Sequence, residues 1–589
     1  MKEKTGWHWF RQTVLGGLVV AVSVMAPLGT LTVQASSGDA WLAAAELLGV
    51  AGAYTACLHE VLTLGNDARC QQASLQQDRK AQGEDGNDLD RQLVDAVMQQ
   101  LTTKGVYVLD ARSLPFRWNV NNNEEFNACC YPTDYISVNR GLVRGLDCNV
   151  DELAAVLGHE MTHGLRQHSA HNYAKAMAQF YGMAFLNMST NAVNGNALYA
   201  LADYSIAKNV TLPTEYEADA GGFYLMTSAG FNPGGGAAAM AHMQYFVENL
   251  SNYIQEYEPY DHPDTDKREA KLAQMLTEYS AGHVAVKKRQ EIYIDGKLLG
   301  KSYWTTEAYD NTAEIAYLVA GGLAKAFHDQ KDMRGWNFQE NGNGRLEYLS
   351  RDRVYGALKD FVEARHAEKL LQEMVTAAYA AEPQSGARRK LEQTEAQQRE
   401  ELVRQQEKVR TTDKNNVRMM RVNGDVYNDL GLAKLGLFNV GRAFACVKQD
   451  DMAENYAIRG RSKAILGDYT AALADCNQAV HMDAKNAYNF LNRADVYRAQ
   501  GDRQAALADC QTASKINAKI PDTYKMMAQV QDELSEHALA VDSYRQYYKL
   551  VPQATDIPRE YLREIDPKAA KALDDAEKKE AASSEKKSS

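Results

Sequence analysis

At 589 residues the chain is long enough for several domains, and with 45% hydrophobic residues it can bury a sizeable core. It carries 65 Lys and Arg against 77 Asp and Glu, a net charge of -12 with no basic stripe, so nucleic acid is not an expected partner.

Lys2, Lys4 and Arg11 precede an uncharged apolar run from Thr13 to Leu28, and Val33-Gln34-Ala35 close it with small residues. This is the layout of a secretory signal peptide, and residues 1–35 are expected to be removed after Ala35; the competing reading is a retained anchor. No cysteine precedes Cys57, which excludes a lipoprotein attachment near the cut. Residues 36–89 read as an apolar helical segment, about 40–64, and a polar linker, "QQASLQQDRKAQGEDGND". The cysteines, at 57, 70, 129, 130, 148, 446, 476 and 510, suit disulfides in an oxidising compartment, but their spacing leaves pairing and redox state open.

Residues 90–280 mix strands and helices. "GVYVLD" (105–110) and "DYISVN" (134–139) alternate as strands do, and 151–168 and 214–229 carry helical periodicity. Residues 176–202 have no charge but include Asn187, Asn191, Asn194 and Asn196; four amides are costly in lipid, so this reads as a helix–loop–helix insertion, with packing favoured over a lid role. No integral membrane segment is expected once the signal is cut. Residues 281–349 fit no assignable type, although 290–303 predict a hairpin turning at Asp295-Gly296 and 311–327 a helix. The Glu-, Gln-, Lys- and Arg-rich stretch 350–420 reads as a charged helical linker, with a short coiled coil as the lesser option.

An internal repeat follows over 421–555. "GDYTAALADC" (467–476) returns as "GDRQAALADC" (501–510), 34 residues on, each between two helical stretches. A looser copy lies at 523–552 and a degenerate one at 424–449. The period and motif are similar to the tetratricopeptide repeat (TPR), an all-α solenoid of paired helices. Cys476 and Cys510 share a repeat position and read as small buried packing residues. Residues 556–589 read as a disordered charged tail.

The chemistry concentrates in "ELAAVLGHEMTHGLRQHSAH" (152–171). On a helix His159 and His163 lie on one face and can offer two imidazoles to one ion, with Glu160 beside them as a base. Leu153, Val156, Leu157, Met161 and Leu165 form the apolar stripe that would hold the helix to a core. The bland alternative is a surface helix with two histidines. Zinc needs a third protein ligand and an open position. A histidine six residues past His163 would supply it, but that position is Ser169, and His168 and His171 are out of register. The better candidate is "PTEYEADAGGFYL" (213–225): Glu215 can reach the ion, while Asp219, one turn on, can fix the outer nitrogen of a ligating histidine. Glu217 competes but points to another face. An open position argues against a purely structural zinc.

"NACCYPTDYISVNRGLVRGLDCNVDELAAVLGHEMTHGLRQH", "EYEADAGGFYLMTSAGFNP" and "HPDTDKREAKL" together resemble, in order and spacing, the M48 zinc metallopeptidases. With the repeats behind them, they are most similar to the periplasmic β-barrel assembly-enhancing protease branch of that family. The resemblance implies an α+β zincin-like metalloprotease domain, mainly helical with a small sheet, followed by the TPR solenoid. It implies one Zn²⁺ per chain on His159, His163 and Glu215, with Glu160 as general base. Relatives usually show an apolar residue and glycine where this chain has Cys129-Cys130 and Thr133-Asp134. The expected activity is an extracytoplasmic, periplasmic endopeptidase for unfolded or misassembled envelope proteins, with the repeats recruiting substrate or a protein partner. Substrate is expected to pair with an edge strand at "DYISV". His262, on a Pro-flanked loop, is a candidate to cap the zinc and hold the enzyme inactive, with substrate contact or simple packing as the alternatives. The competing function is a TPR scaffold or chaperone with a vestigial peptidase.

Overall fold

The structure, a computed structural model, describes residues 61–105, 114–172, 212–249, 265–302, 310–329, 337–340, 346–350, 353–357, 373–378, 386–410, 414–447, 452–552 and 554–575, with residues 55, 58, 59, 174 and 380. The signal segment 1–35, residues 106–110 of the strand expected over 105–110, the 176–202 insertion and His262 lie outside the described residues.

The stretch read as a polar linker is largely helix. Asp67 accepts from the Arg69 amide and opens α1 (Ala68–Gln82). Its polarity is deceptive because its buried face includes Gln71 and Asp78. The Gln71 carboxamide donates to the Pro115 and Thr133 carbonyls at 2.9 and 2.8 Å and accepts from the Tyr427 hydroxyl at 2.6 Å. The Tyr135 hydroxyl donates to Asp78 at 2.6 Å. Buried polar groups paired in this way belong to a core as readily as apolar ones.

After α2 (Asp88–Lys104) come β1 (Arg117–Asn121), β2 (Ala128–Cys130) and β3 (Tyr135–Asn139), in the sheet order β1-β3-β2. β3 runs parallel to β1 and antiparallel to β2. The expectation that "DYISV" is an edge strand is therefore wrong: β3 is central and all five of its residues are buried, with the polar ones paired inside. Alternation in sequence marks a strand but does not tell which neighbours it acquires. Among the described residues, β1 and β2 form the two edges of this sheet.

Helix α3 (Arg140–Gly145) leads to α4 (Val150–Leu165), whose N-terminus is capped by Asn149 accepting from the Asp151 and Glu152 amides. α4, α5 (Leu212–Ala229) and the first sheet share one core: Leu153, Leu157 and Met161 meet Ile136, Val138, Leu225 and Met226. Val156 and Leu165 pack at its margin. Helices α6 (Gly235–Asn249) and α7 (Thr265–Tyr279) complete this part.

The hairpin turn at Asp295-Gly296 is present, both residues having positive φ (46° and 75°), within the meander β4 (Val284–Lys287), β5 (Glu291–Ile294) and β6 (Lys297–Lys301). Helix α8 (Thr312–Asp329), the helix expected at 311–327, covers that sheet through Ala316, Ala320, Leu323 and Phe327. A third sheet, β7 (Asn337–Glu340), β8 (Leu346–Ser350) and β9 (Arg353–Ala357), follows. β9 corrects the helical reading from residue 350: "RVYGA" is short, β-branched and aromatic, and pairs locally with β8. The charged helix is α9 (Ala387–Arg410), and it is no mere spacer, since Arg388 donates to the Phe327 carbonyl and Glu395 meets His328 at 2.6 Å.

The repeats are α10 (Lys414–Asp429) with α11 (Ala433–Cys446), α12 (Ala453–Ile465) with α13 (Tyr469–Met482), α14 (Ala487–Gln500) with α15 (Arg503–Ile516), and α16 (Pro521–Glu533) with α17 (His537–Leu550). The "GD" dipeptides explain the repeat. Gly467 and Gly501 turn the chain at φ 88° and 94°, and Asp468 and Asp502 accept from the Ala471 and Ala505 amides to start the second helix. Arg459–Asp475 and Arg493–Asp509, each at 2.7 Å, recur with the same period. Cys476 and Cys510 are fully buried packing residues, as expected. The tail reading is corrected over 559–575: α18 (Arg559–Ile565) and a following helical stretch pack Tyr561, Leu562 and Ala570 onto α17, because those apolar residues break up the charge run. The seven described cysteines form no disulfide with one another.

Candidate metal centre

Helices α4 and α5 cross with almost no separation because glycines face each other. A Cβ placed on Gly222 would lie 2.6 Å from the His159 amide nitrogen, and one on Gly158 would lie 3.0 Å from the Gly222 carbonyl oxygen. Gly221 faces Thr162 in the same way. Only glycine permits this approach, and the approach carries Glu215 and Asp219 of α5 to the histidine face of α4.

At the crossing, one donor atom each from His159, His163 and Glu215 lies within 4.8 Å of the others. His159 Nε2 and His163 Nε2 are 3.0 Å apart. Glu215 places Oε2 3.4 Å from the first and Oε1 3.3 Å from the second. All three side chains are buried or nearly so. The outer nitrogens are held as well. His159 Nδ1 meets Asp219 Oδ1 at 2.9 Å, and His163 Nδ1 meets His168 Nδ1 at 3.1 Å. Each ring is thus locked with Nε2 turned inward, as ligand imidazoles require. Glu217 stays on another face, as expected, against Arg166 and His168 at 3.3 Å.

Arg268 is the functional residue the sequence reading passed over. It lies in the first turn of α7 and is 1% exposed. It donates through Nε and Nη2 to the two Asp219 oxygens at 2.7 and 2.6 Å and lies 3.1 Å from Glu215 Oε2. In sequence it is one charge within "DTDKREAK" and looks like a solvated face. The available signal was a need: two carboxylates buried on α5 require a cation.

The electrostatics follow from these contacts. Burial drives the His163 imidazole down to about 4, keeping it in the neutral, lone-pair-bearing form. Burial acts on His159 in the same sense, but the Glu215 and Asp219 carboxylates outweigh it and carry that imidazole up to about 10. At Asp219 burial opposes ionisation, yet hydrogen bonds from Arg268 and His159 hold the carboxyl down at about 2. The pocket therefore favours positive charge between the carboxylates. Two neutral-capable imidazoles and a carboxylate converging there are the donor set a divalent ion takes, and they leave a coordination position over.

Glu160, also buried, lines with His159 a cleft of about 530 Å³ bounded by Ala128 on β2 and by Phe223, Met240 and Met243. The described residues named from sequence thus converge, and His262 lies outside the described residues.

Residues 92–276 match the sequence profile of Peptidase family M48, whose members are zinc metallopeptidases, and this indicates a metalloprotease. No curated protein matches the chain. Two solved structures, described as "Crystal structure of MamA" and "Crystal structure of MamA protein", align at 19% identity over 26% of this chain and 88% and 82% of theirs. Their TM-scores of 0.21 and 0.20 are too low to carry an argument. No described helix is long and apolar enough to cross a membrane.

Proposed function

We propose that the chain is a zinc endopeptidase of unfolded or misassembled envelope proteins, acting outside the cytoplasm in the manner of the periplasmic β-barrel assembly-enhancing branch. The observation that carries the reading is the inward convergence of His159, His163 and Glu215 donor atoms, with the outer nitrogen of each histidine already held. His159, His163 and Glu215 would hold a Zn²⁺ ion, which would supply Lewis acidity at the scissile carbonyl. Glu160 accepts the proton of the attacking water and delivers it to the leaving amine. Asp219 and Arg268 act through His159 and Glu215, keeping one ring and one carboxylate aimed. An extended segment adds along the outer edge of β2, where main-chain pairing tolerates many sequences. Its side chain beside the scissile bond enters the cleft between Phe223, Met240 and Met243, which suits an apolar residue. Such a cleft takes unfolded segments and refuses folded domains.

Two features support the location and recruitment parts of the reading: the leader-like residues 1–35, and a four-pair repeat solenoid that offers a groove to a protein partner. The rival, a scaffold with a decayed site, has no need of Glu160. Cleavage of an unfolded protein such as casein, with and without chelator, tests both. Glu160→Gln should keep the metal while turnover falls by about 10²–10⁴-fold. A protein that binds no zinc, or a Glu160→Gln variant as active as the parent, refutes the proposal.

A further inference from the structure

A second cluster of ligand-type side chains sits in the same part of the molecule. Glu152 lies seven residues before His159 on α4, two turns and so about 10 Å along the axis. His242 on α6 and Glu314 on α8 meet it there. We propose that Glu152, His242 and Glu314 hold a second divalent cation of the zinc or manganese class, which ties the active-site helix to α6 and α8.

One donor atom from each residue lies within 4.8 Å of the others, the same closeness found at the first centre. His242 Nδ1 is 2.6 Å from Glu152 Oε2, and its Nε2 is 3.4 Å from Glu314 Oε2. Both carboxylates thus gather at one imidazole. The side chains of Glu152 and His242 are 0% exposed and that of Glu314 12%. The simplest metal-free account is an acid–imidazole pair. It leaves Glu152 Oε1, fully buried, with no hydrogen-bond partner among the described residues. An orphaned buried carboxylate oxygen is costly, and an ion that takes both Glu152 oxygens removes the cost. A divalent charge also balances the two carboxylates. The imidazole donor disfavours Mg²⁺ and Ca²⁺ and selects Zn²⁺, Mn²⁺ or a similar ion. Both Glu152 oxygens, one ring nitrogen and a Glu314 oxygen make four donors, a closed set suited to structure and not to turnover. The partly exposed Glu314 gives the ion its way in.

The site does not depend on the first centre, and metal counting separates them. Full-length protein is loaded with Zn²⁺, dialysed against buffer and measured for bound metal. Wild type should hold two equivalents. His159→Ala/His163→Ala should hold one, Glu314→Gln one, and the combined variant none. Glu314→Gln should weaken the second equivalent by more than the about 10–100-fold that losing an outer partner costs. His242→Gln, which keeps a polar side chain in the core, should behave like Glu314→Gln and guards against a folding artefact. With Co²⁺, the His159→Ala/His163→Ala protein should show a visible d–d band that Glu314→Gln removes. A wild type that holds one equivalent, lost in His159→Ala/His163→Ala, overturns the second site. Two equivalents that persist in Glu314→Gln and His242→Gln overturn it also. One equivalent that survives His159→Ala/His163→Ala and disappears in Glu314→Gln upholds it, and refutes the catalytic reading of the first centre instead.

Discussion

Replacing Gly222 with alanine tests whether the helix crossing builds the metal centre. The new methyl would stand 2.6 Å from the His159 amide nitrogen, 2.9 Å from its Cα and 3.0 Å from the Gly158 carbonyl carbon, all backbone atoms that cannot rotate away. Ordinary contact begins at 3.4 Å, so α4 and α5 must part by about 0.8 Å, the difference between 3.4 and 2.6. Overpacking of this kind costs about 1–3 kcal/mol of stability. A metal centre is less forgiving, because ligand distances are held within about 0.2 Å. The shift moves Glu215 bodily away from His159 and His163, so zinc affinity should fall by at least about tenfold and turnover by about 10²-fold. Zinc affinity comes from competition with a chromophoric chelator, stability from urea unfolding of the metal-free protein, and activity from casein cleavage. A folded Gly222→Ala protein that binds zinc as tightly as the parent would refute the reasoning. Gly501→Ala, which meets no atom within 4 Å, serves as the control: it strains the turn but should leave zinc binding unchanged.

Arg268→Ala should destabilise the metal-free protein by about 3–5 kcal/mol, since Asp219 and Glu215 lose the buried guanidinium that pairs with both. Arg268→Lys should recover little of this, because a single ammonium cannot reproduce the two-pronged contact with Asp219; urea midpoints that match wild type in either variant contradict the role. Asp468→Ala removes the cap of α13 and should cost about 0.5–2 kcal/mol in thermal unfolding while peptidase activity on a short peptide stays unchanged. His328 stacks on Tyr279 with ring centroids 3.9 Å apart and touches Asp329 and Glu395. Burial lowers its basicity, but those two carboxylates outweigh it and raise the imidazole above its ordinary value of 6.5. A raised folded-state value means the contribution is fully present below about pH 6.5 and is lost as pH climbs through the folded value. Wild type should therefore lose more stability than His328→Gln between pH 5.5 and 8.5; equal losses in urea melts would dismiss the clasp.

The parts of this protein that local chemistry dictates were readable along the chain. His159, Glu160 and His163 share a helix because four residues make about one turn, and Glu215 with Asp219 repeats that spacing on the next metal-facing helix. The repeats were legible because each Gly-Asp pair performs a turn and a cap within a few residues of itself. The Asp295-Gly296 hairpin was legible for the same local reason.

What escaped depends on partners distant in sequence. "DYISV" alternates like an edge strand, but its place in the middle of the sheet is decided by β1 on one side and β2 on the other. Gln71 reads as linker until Tyr427, 356 residues away, is seen to donate to it. Arg268 reads as solvated until α7 buries it against Asp219, and Glu152 as an ordinary helix-start acid until His242 and Glu314 close over it. Composition and spacing determine which groups can bind an ion, since those are properties of residue type and helical pitch. Whether their charges end up compensated or stranded is decided only when separate helices pack, because the cost of burying a charge exists only once water has been excluded.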